Sequence, residues 1–225
     1  MIGRAAIADP EAAGFVLAGG RSSRMGRDKA LVELAGQPLI AHALGILSGA
    51  GLAAAIAGGQ PSLASFAPLV PDSQPDLGPL SGLCSALASN PARWAVFLSI
   101  DLPFLPASLL TYLLRHAQIT ERAVTLSSVN GFPQTFPAVV DRAALPWLER
   151  ELAAGRRGCF SAFQCAAAAL DQPVSVLAAE PLVQCGQVAH PQALPPARWF
   201  MNLNSADELR RAEILHKAPA IHLTT

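Results

Sequence analysis

A glycine-rich, basic segment follows the first apolar run of the chain, Phe15–Ala18, which is predicted to be a strand. It reads Leu17-Ala-Gly-Gly-Arg-Ser-Ser-Arg-Met-Gly-Arg-Asp-Lys29. Glycines let backbone N–H groups approach an anion closely, and Arg24 and Lys29 add the positive charge that several phosphate oxygens require. The spacing matches neither the Walker loop nor the G-x-G-x-x-G fingerprint. The segment therefore predicts a polyphosphate-binding loop, the alternative being a solvated turn.

A carboxylate, Asp101, follows a second apolar run, Trp94–Ile100, and precedes the turn Leu102-Pro103-Phe104. Nucleotidyl transfer at an α-phosphate builds negative charge on the attacking and the leaving oxygens. A divalent cation held by a carboxylate and the substrate phosphates neutralises that charge. Asp101 is thus predicted to bind a metal ion, whereas the simpler interpretation is an aspartate that starts a turn.

Short apolar runs alternate with helical patterns along most of the chain, which predicts an α/β fold of the Rossmann-like kind, with a mostly parallel sheet and helices on both faces. Ligands of such sheets bind beyond the carboxyl ends of the strands, where the two motifs fall. The other predicted strands are 53–57, 67–70, 123–127, 136–140, 174–178 and 199–203. The predicted helices are 38–48, 79–87, 106–116, 143–153, 160–168 and 205–217.

Composition limits the class of protein. The 225 residues are 52% hydrophobic and 14% charged, which predicts a single globular domain. We expect a tail at 1–13, a long proline-rich loop at 181–198 and a second tail at 218–225. The net charge of zero argues against nucleic acid or an anionic membrane as a partner.

Residues Leu39–Gly59 carry no formal charge and are long enough to span a bilayer. The glycines within the segment favour a buried helix, a turn and an inner strand instead. The N-terminus has no apolar signal region, and the four cysteines form no C-x-x-C pair. A cytoplasmic protein is expected.

The order LAGG-x-x-x-RMG-x-DKAL resembles the signature of the molybdenum cofactor guanylyltransferases, within the Rossmann-like nucleotidyltransferases. The resemblance continues through Pro71-Asp72, Gly78-Pro-Leu-Ser-Gly82, Asp101-Leu-Pro-Phe104 and, more weakly, Asn202–Leu209. These blocks occur in the order of the family and span nearly the whole chain.

The resemblance implies transfer of GMP from GTP to molybdopterin that carries molybdenum, with release of pyrophosphate. Asp101 would bind Mg²⁺ and act in catalysis with Arg24 and Lys29. The residues implied to bind the nucleotide are Leu17, Ala18, Gly19, Gly20, Arg24, Lys29, Asp72, Gly78, Gly82 and Asp101. Among them, Asp72 and the 78–82 turn would hold base and ribose, since a carboxylate can accept from guanine N1–H and NH₂ or from a ribose hydroxyl. Asp72 could also be a plain turn residue.

The resemblance places Asn202, Asn204 and Arg156 on the acceptor side; Arg156 could equally be an ordinary exposed arginine at the end of a helix. The two asparagines occupy alternate positions of a predicted strand and would face the same way. Ser205 with Glu208 predicts a capping box for the last helix. The chain departs from the family in having Ser205-Ala206 where Thr-Pro is usual, and in lacking an Asn at 56–59.

Two alternatives remain open. One is the same chemistry with CTP, or with a sugar phosphate as acceptor, although Gly19-Gly20 and the 78–82 turn resemble the guanine branch. The other is a non-catalytic nucleotide-binding protein that delivers a cofactor. For the guanylyltransferase that the resemblance implies, transient contact with molybdoenzymes or their chaperones is expected.

Overall fold

The computed structural model describes residues 11–19, 28–74 and 76–217. Its strands are β1 Ala12–Leu17, β2 Glu33–Leu34, β3 Gln37–Pro38, β4 Ala53–Ala57, β5 Leu69–Val70, β6 Trp94–Ser99, β7 Val124–Val129, β8 Phe132–Asp141 and β9 Ser175–Ala178. Seven of them form one sheet in the order β5-β4-β1-β6-β8-β7-β9, and β2 pairs with β3 in a small hairpin. Within the large sheet only β8 runs antiparallel to its neighbours. The predicted mostly parallel sheet is confirmed.

The central strands β1 and β6 are apolar on both faces, as expected for strands covered by helices on each side. All six residues of β1 are buried. Phe15 and Phe97 are paired in register, and their rings stack with centroids 5.5 Å apart. Strand β1 begins at Ala12, inside the predicted N-terminal tail 1–13. The rest of that tail, residues 1–10, and the predicted second tail, 218–225, lie outside the described residues.

The helices are α1 Leu39–Gly49, α2 Pro79–Ser89, α3 Ala107–Thr120, α4 Leu145–Ala153, α5 Cys159–Ala169, α6 Ala179–Gln184, α7 Pro196–Trp199 and α8 Ala206–Lys217. Buried side chains of α1, α3, α6, α7 and α8 form one hydrophobic core with one face of the sheet. Those of α2, α4 and α5 form a second core on the opposite face. The predicted placement of helices on both faces is therefore confirmed.

The uncharged segment 39–59 folds as α1, a turn at Gly51 with φ +77°, and the inner strand β4. This is the helix, turn and strand that the glycines favoured. Within the described ranges, no helix has the length and apolar character that crossing a bilayer requires.

Two predictions for the C-terminal third are wrong. The stretch 181–198 is not one long loop, because it contains most of α6 and begins α7. Residues 199–203 are not a strand, because Trp199 ends α7 and the chain is irregular from there to Asn204. The prolines misled the prediction: Pro196 opens α7, where its missing N–H has no helical partner to lose. The apolar pattern reflects packing of the buried Trp199, whose indole donates to Leu194 O at 2.7 Å.

Candidate active site

Strands β4, β1 and β6 end at the same edge of the sheet. Leu17 is in register with Ala57 on one side and with Ser99 on the other. The N–H of Ala18 continues the ladder to Ala57 O at 3.2 Å. Gly19, which follows β1, and Asp101, which follows β6, therefore lie at this shared edge. Gly20 and Arg24 lie outside the described residues.

Lys29 is placed by a short helical turn, Lys29–Leu31, which Asp28 caps by accepting from the Ala30 N–H at 3.0 Å. The Lys29 Nζ lies 3.2 Å from Asp101 Oδ2, with 16% of the lysine side chain and 19% of the aspartate side chain exposed. The same Nζ donates to Asn204 Oδ1 at 2.5 Å. Asp101 and Asn204, from distant parts of the chain, therefore both contact the ammonium group of Lys29.

Asp101 is held by its neighbours as well as by Lys29. Ser99 Oγ donates to Asp101 Oδ1 at 2.6 Å, and the backbone O of Asp101 accepts from the Leu203 N–H at 3.1 Å. The sequence interpretation missed Ser99. The signal available in the sequence was a hydroxyl two residues before a carboxylate at the end of a strand.

Asp72 follows β5, and its carboxylate lies in a cradle of three glycines. A Cβ on Gly19 would lie 3.4 Å from Asp72 Oδ2, one on Gly58 would lie 3.2 Å from both oxygens, and one on Gly82 would lie 2.9 Å from Oδ1. Side chains at Gly58 and Gly82 would crowd the carboxylate, while a Cβ on Gly19 would make an ordinary van der Waals contact with it. The absence of side chains at Gly58 and Gly82 thus leaves room for Asp72.

The Oδ1 atom of Asp72 is buried and accepts no hydrogen bond from the described residues. Burial raises the pKa of this carboxyl group above its usual value. A buried acceptor without a donor is costly, so this atom is suited to a donor that a ligand brings.

The segment that carries Asp72 is tied to α2. The Ser73 N–H donates to Ser85 Oγ at 2.9 Å, and Ser81 Oγ donates to Gln74 O at 2.8 Å. Gly78, with φ +84°, precedes the helix and allows the chain to turn into Pro79. The segment of Asp72 is therefore fixed against the start of α2, and its role in holding base and ribose stays a prediction. Ser85 was missed, because no spacing links it to Ser73.

Asn202 and Asn204 are both exposed and flank the buried Leu203. They belong to an irregular segment, so the strand that was expected to orient them is wrong. The predicted capping box is confirmed: Ser205 Oγ accepts from the Glu208 N–H at 3.2 Å, and the Glu208 carboxylate accepts from the Asn204 N–H at 2.7 Å. The hydrogen bond from the Asn204 N–H, together with one that Ser205 Oγ donates to the same carboxylate at 3.0 Å, lowers the pKa of Glu208. The helix therefore begins normally at Ala206 without the proline usual in the family.

Arg156 lies in the turn between α4 and α5. Its guanidinium donates to both oxygens of Glu151, at 2.6 and 2.7 Å, and this pairing holds the pKa of Glu151 below its usual range. The charge of Arg156 is thus already balanced by a buried carboxylate. Its contact with an acceptor stays a prediction.

The donor set at the strand ends fits a hard cation that shares its coordination with a substrate. Among the residues that the structure describes, no three His, Cys, Asp or Glu side chains form a group able to hold a metal ion. Mg²⁺ is characteristically held by one or two carboxylates together with phosphate oxygens and water. Asp101 supplies such a carboxylate beside the predicted phosphate loop.

A mostly parallel sheet with a glycine-rich sequence after β1 and an aspartate after β6 agrees with the fold of a nucleotidyltransferase. Residues 14–170 match the family model of the MobA-like NTP transferase domain. The chain belongs to this family and is a nucleotidyltransferase.

Among its relatives, a molybdenum cofactor guanylyltransferase of Xanthomonas euvesicatoria is 45% identical over 107 residues, which cover 47% of this chain and 54% of that protein. The match thus spans about half the length of that relative. A molybdenum cofactor guanylyltransferase of Pseudomonas putida is 36% identical over 149 residues, covering 64% of this chain and 77% of the relative.

Solved structures share the fold. A molybdopterin-guanine dinucleotide biosynthesis protein A from Archaeoglobus fulgidus superposes with a TM-score of 0.72 at 22% identity, covering 90% of this chain and 97% of that one. A 2-C-methyl-D-erythritol 4-phosphate cytidylyltransferase from Thermus thermophilus gives a TM-score of 0.64 at 14% identity, covering 91% and 98%. At these identities the likeness concerns the fold alone.

Proposed function

We propose that this protein transfers GMP from GTP to molybdopterin that carries molybdenum, giving the guanine dinucleotide form of the cofactor and pyrophosphate. Support comes from the family, from the names of relatives such as the Pseudomonas putida protein, and from one structural observation. That observation concerns Oδ1 of Asp72, beside the ends of β1 and β4, which is buried and accepts no hydrogen bond from the part of the chain that the structure describes.

An ionised carboxylate only accepts hydrogen bonds. Guanine offers two adjacent donors, N1–H and the exocyclic NH₂, to such a group. Cytosine presents ring N3 and O2 as acceptors beside a single NH₂, so it would leave a carboxylate facing lone pairs. Asp72 therefore favours guanine, with a ribose hydroxyl as the other donor that the atom could accept.

The triphosphate is assigned to the loop that leaves β1. Lys29 supplies positive charge next to Asp101, and Gly19, with Gly20 and Arg24 from the sequence prediction, completes the proposed phosphate site. Asp101 would hold Mg²⁺, which when bound neutralises charge on the phosphates. Leu17, Ala18, Gly78 and Gly82 are proposed to line the rest of the nucleotide site.

The acceptor is a phosphate monoester, which is already anionic and needs no strong general base. Its oxygen attacks the α-phosphorus of GTP, the α–β bridging P–O bond breaks, and pyrophosphate leaves with the electron pair of that bond. The protein contributes positioning and electrostatic stabilisation. Asn202, Asn204 and Arg156 are proposed for the acceptor side, with Asn204 also in contact with Lys29.

We place the protein in the cytoplasm, where the product would pass to molybdoenzymes or their chaperones in transient contacts. The four cysteines are free, and burial raises the pKa of both the Cys84 and the Cys159 thiol to about 12. Unpaired thiols suit a reducing compartment.

Thermal denaturation with each of the four nucleoside triphosphates, with and without MgCl₂, tests the nucleotide assignment. GTP with Mg²⁺ should raise the melting temperature most, since a ligand at a hundredfold excess over its dissociation constant stabilises the native state by about 2.7 kcal/mol. The Asp72→Asn variant, with its altered hydrogen-bonding group, should lose most of that rise. A larger rise with CTP would overturn the guanine assignment and leave nucleotidyl transfer intact.

A further inference from the structure

We propose that Ser99 is a positioning residue for nucleotidyl transfer: its hydroxyl fixes the carboxylate of Asp101 in the orientation that receives the metal ion. The inference rests on the proposed function. It concerns a hydroxyl that donates directly to the proposed metal ligand at 2.6 Å.

The strand determines where the hydroxyl points. Ser99 is the last residue of β6 and is in register with Leu17, the last residue of β1. Side chains alternate along a strand, so Ser99 faces the same side as Phe97, the side of α2 and the 78–82 turn. The Asp101 carboxylate, which folds back to this hydroxyl, is thereby directed toward the proposed nucleotide site.

Lys29, the second side chain in contact with the Asp101 carboxylate, also contacts Asn204. Oδ2 faces Lys29 Nζ at 3.2 Å, while that ammonium group donates to Asn204 at 2.5 Å. A bound triphosphate competes for the same lysine charge, because phosphate oxygens attract it strongly. The hydroxyl of Ser99 is neutral and lies two residues away, so it can hold Oδ1 whether or not Lys29 turns to a phosphate.

The Ser99 hydroxyl orients the Asp101 carboxylate without adding charge to the site. It occupies one lone pair of Oδ1 and restricts rotation of the carboxylate, leaving the other lone pairs for a cation. Partners of metal ligands that act in this way typically change metal affinity 10- to 100-fold when they are removed. If Ser99 only formed the local turn, metal affinity would not depend on its hydroxyl.

Direct metal binding distinguishes the two roles. Mn²⁺ would be titrated into the protein saturated with the βγ-imido analogue of GTP, and free Mn²⁺ measured by electron paramagnetic resonance. Ser99→Ala should weaken Mn²⁺ binding by about 10- to 100-fold, and Ser99→Thr, which keeps the hydroxyl, should restore it. Ser161→Ala is the matched control, because Ser161 lies on α5 and its exposed hydroxyl donates to Gly158 O, just before that helix.

Turnover gives a second readout. The Mg²⁺ concentration for half-maximal rate should rise in Ser99→Ala, while kcat at saturating Mg²⁺ should recover much of the wild-type value. If the alanine variant does not fold, Ser99→Cys replaces the hydroxyl by a weaker donor and serves the same comparison.

Wild-type Mn²⁺ affinity in a folded Ser99→Ala or Ser99→Cys variant would overturn the inference. Failure of the proposed function looks different: the wild-type protein would then bind Mn²⁺ with the analogue and still release no pyrophosphate from GTP and the acceptor.

Discussion

Lys29 Nζ lies 2.5 Å from Asn204 Oδ1, although 175 positions separate the two residues in the sequence. The sequence interpretation placed Lys29 on the nucleotide side and Asn204 on the acceptor side of the site. The contact joins the two sides at one atom. Asn204 is itself held through its backbone N–H by Glu208, the capping residue of α8.

Asn204→Ala should therefore weaken GTP binding as well as acceptor binding. A hydrogen bond to a charged group contributes about 1.5–3 kcal/mol, so the GTP dissociation constant should rise roughly tenfold or more. Asn202→Ala is the matched control and should affect the acceptor alone. Calorimetry with GTP–Mg²⁺ on both variants makes the comparison, and unchanged GTP affinity in Asn204→Ala would show that this contact does not orient the lysine.

The glycine cradle gives a steric test at Asp72. A Cβ on Gly82 would lie 2.9 Å from Asp72 Oδ1, so Gly82→Ala should displace the carboxylate and lower GTP affinity while the protein stays folded. Gly45→Ala is the control: it lies in α1 with open space around it and should raise stability by up to about 1 kcal/mol. Equal GTP affinity in the two variants, measured by titration calorimetry, would contradict this role for Gly82.

The raised pKa of Asp72 predicts a pH dependence of both stability and binding. Burial favours the protonated form in the folded state, so the folded state binds the proton more tightly than the unfolded state does. Ionisation of the buried carboxyl group therefore lowers the free energy of unfolding. This loss is absent below the ordinary pKa of 3.8, grows as the pH rises, and is complete above the raised pKa of the folded state. Asp72→Asn should thus be more stable than the wild type near neutral pH.

GTP binding should favour the ionised form of Asp72, because the N1–H and NH₂ donors of guanine need an ionised carboxylate as their acceptor. Affinity should fall as the pH drops through the raised pKa, at a higher pH than an ordinary aspartate would give. The ratio of wild-type to Asp72→Asn affinity cancels the titration of the phosphates and should fall toward one in acid. A ratio that stays constant down to the ordinary pKa of 3.8 would exclude Asp72 as a base-binding group.

Removal of the ion pair between Arg156 and Glu151 is expected to lower the stability of the folded protein. Arg156→Ala leaves the buried Glu151 carboxylate without its bidentate partner, and a buried charge without a partner is unfavourable. The melting temperature should fall, and the double variant with Glu151→Gln should recover part of the loss. An unchanged melting temperature in Arg156→Ala would contradict a stabilising role for the ion pair.

A higher KM for molybdopterin in Arg156→Ala, but not in Glu151→Gln, would support the acceptor contact predicted from the sequence.

The sheet and the meeting of Lys29 with Asp101 could be predicted because local patterns determine them. Buried parallel strands read as apolar runs, and their carboxyl ends must share an edge. The path from α6 to Asn204 could not be predicted, because tertiary contacts fix it. His190 stacks on Trp199 with ring centroids 6.2 Å apart, and its Nε2 pairs with Phe104 O at 3.0 Å. No periodicity in the sequence encodes these contacts.

Guanylyl transfer itself is tested most directly by incubating the protein with α-labelled GTP or CTP, Mg²⁺ and molybdopterin that carries molybdenum. Label incorporated into the pterin and pyrophosphate released would be measured together. We predict one pyrophosphate for each GMP transferred from GTP and little transfer from CTP. The Asp101→Asn variant should transfer no GMP, because it keeps the shape of the side chain and loses its charge. Transfer from CTP at or above the rate from GTP, or no transfer from GTP by the wild-type protein, would contradict the proposed guanylyl transfer.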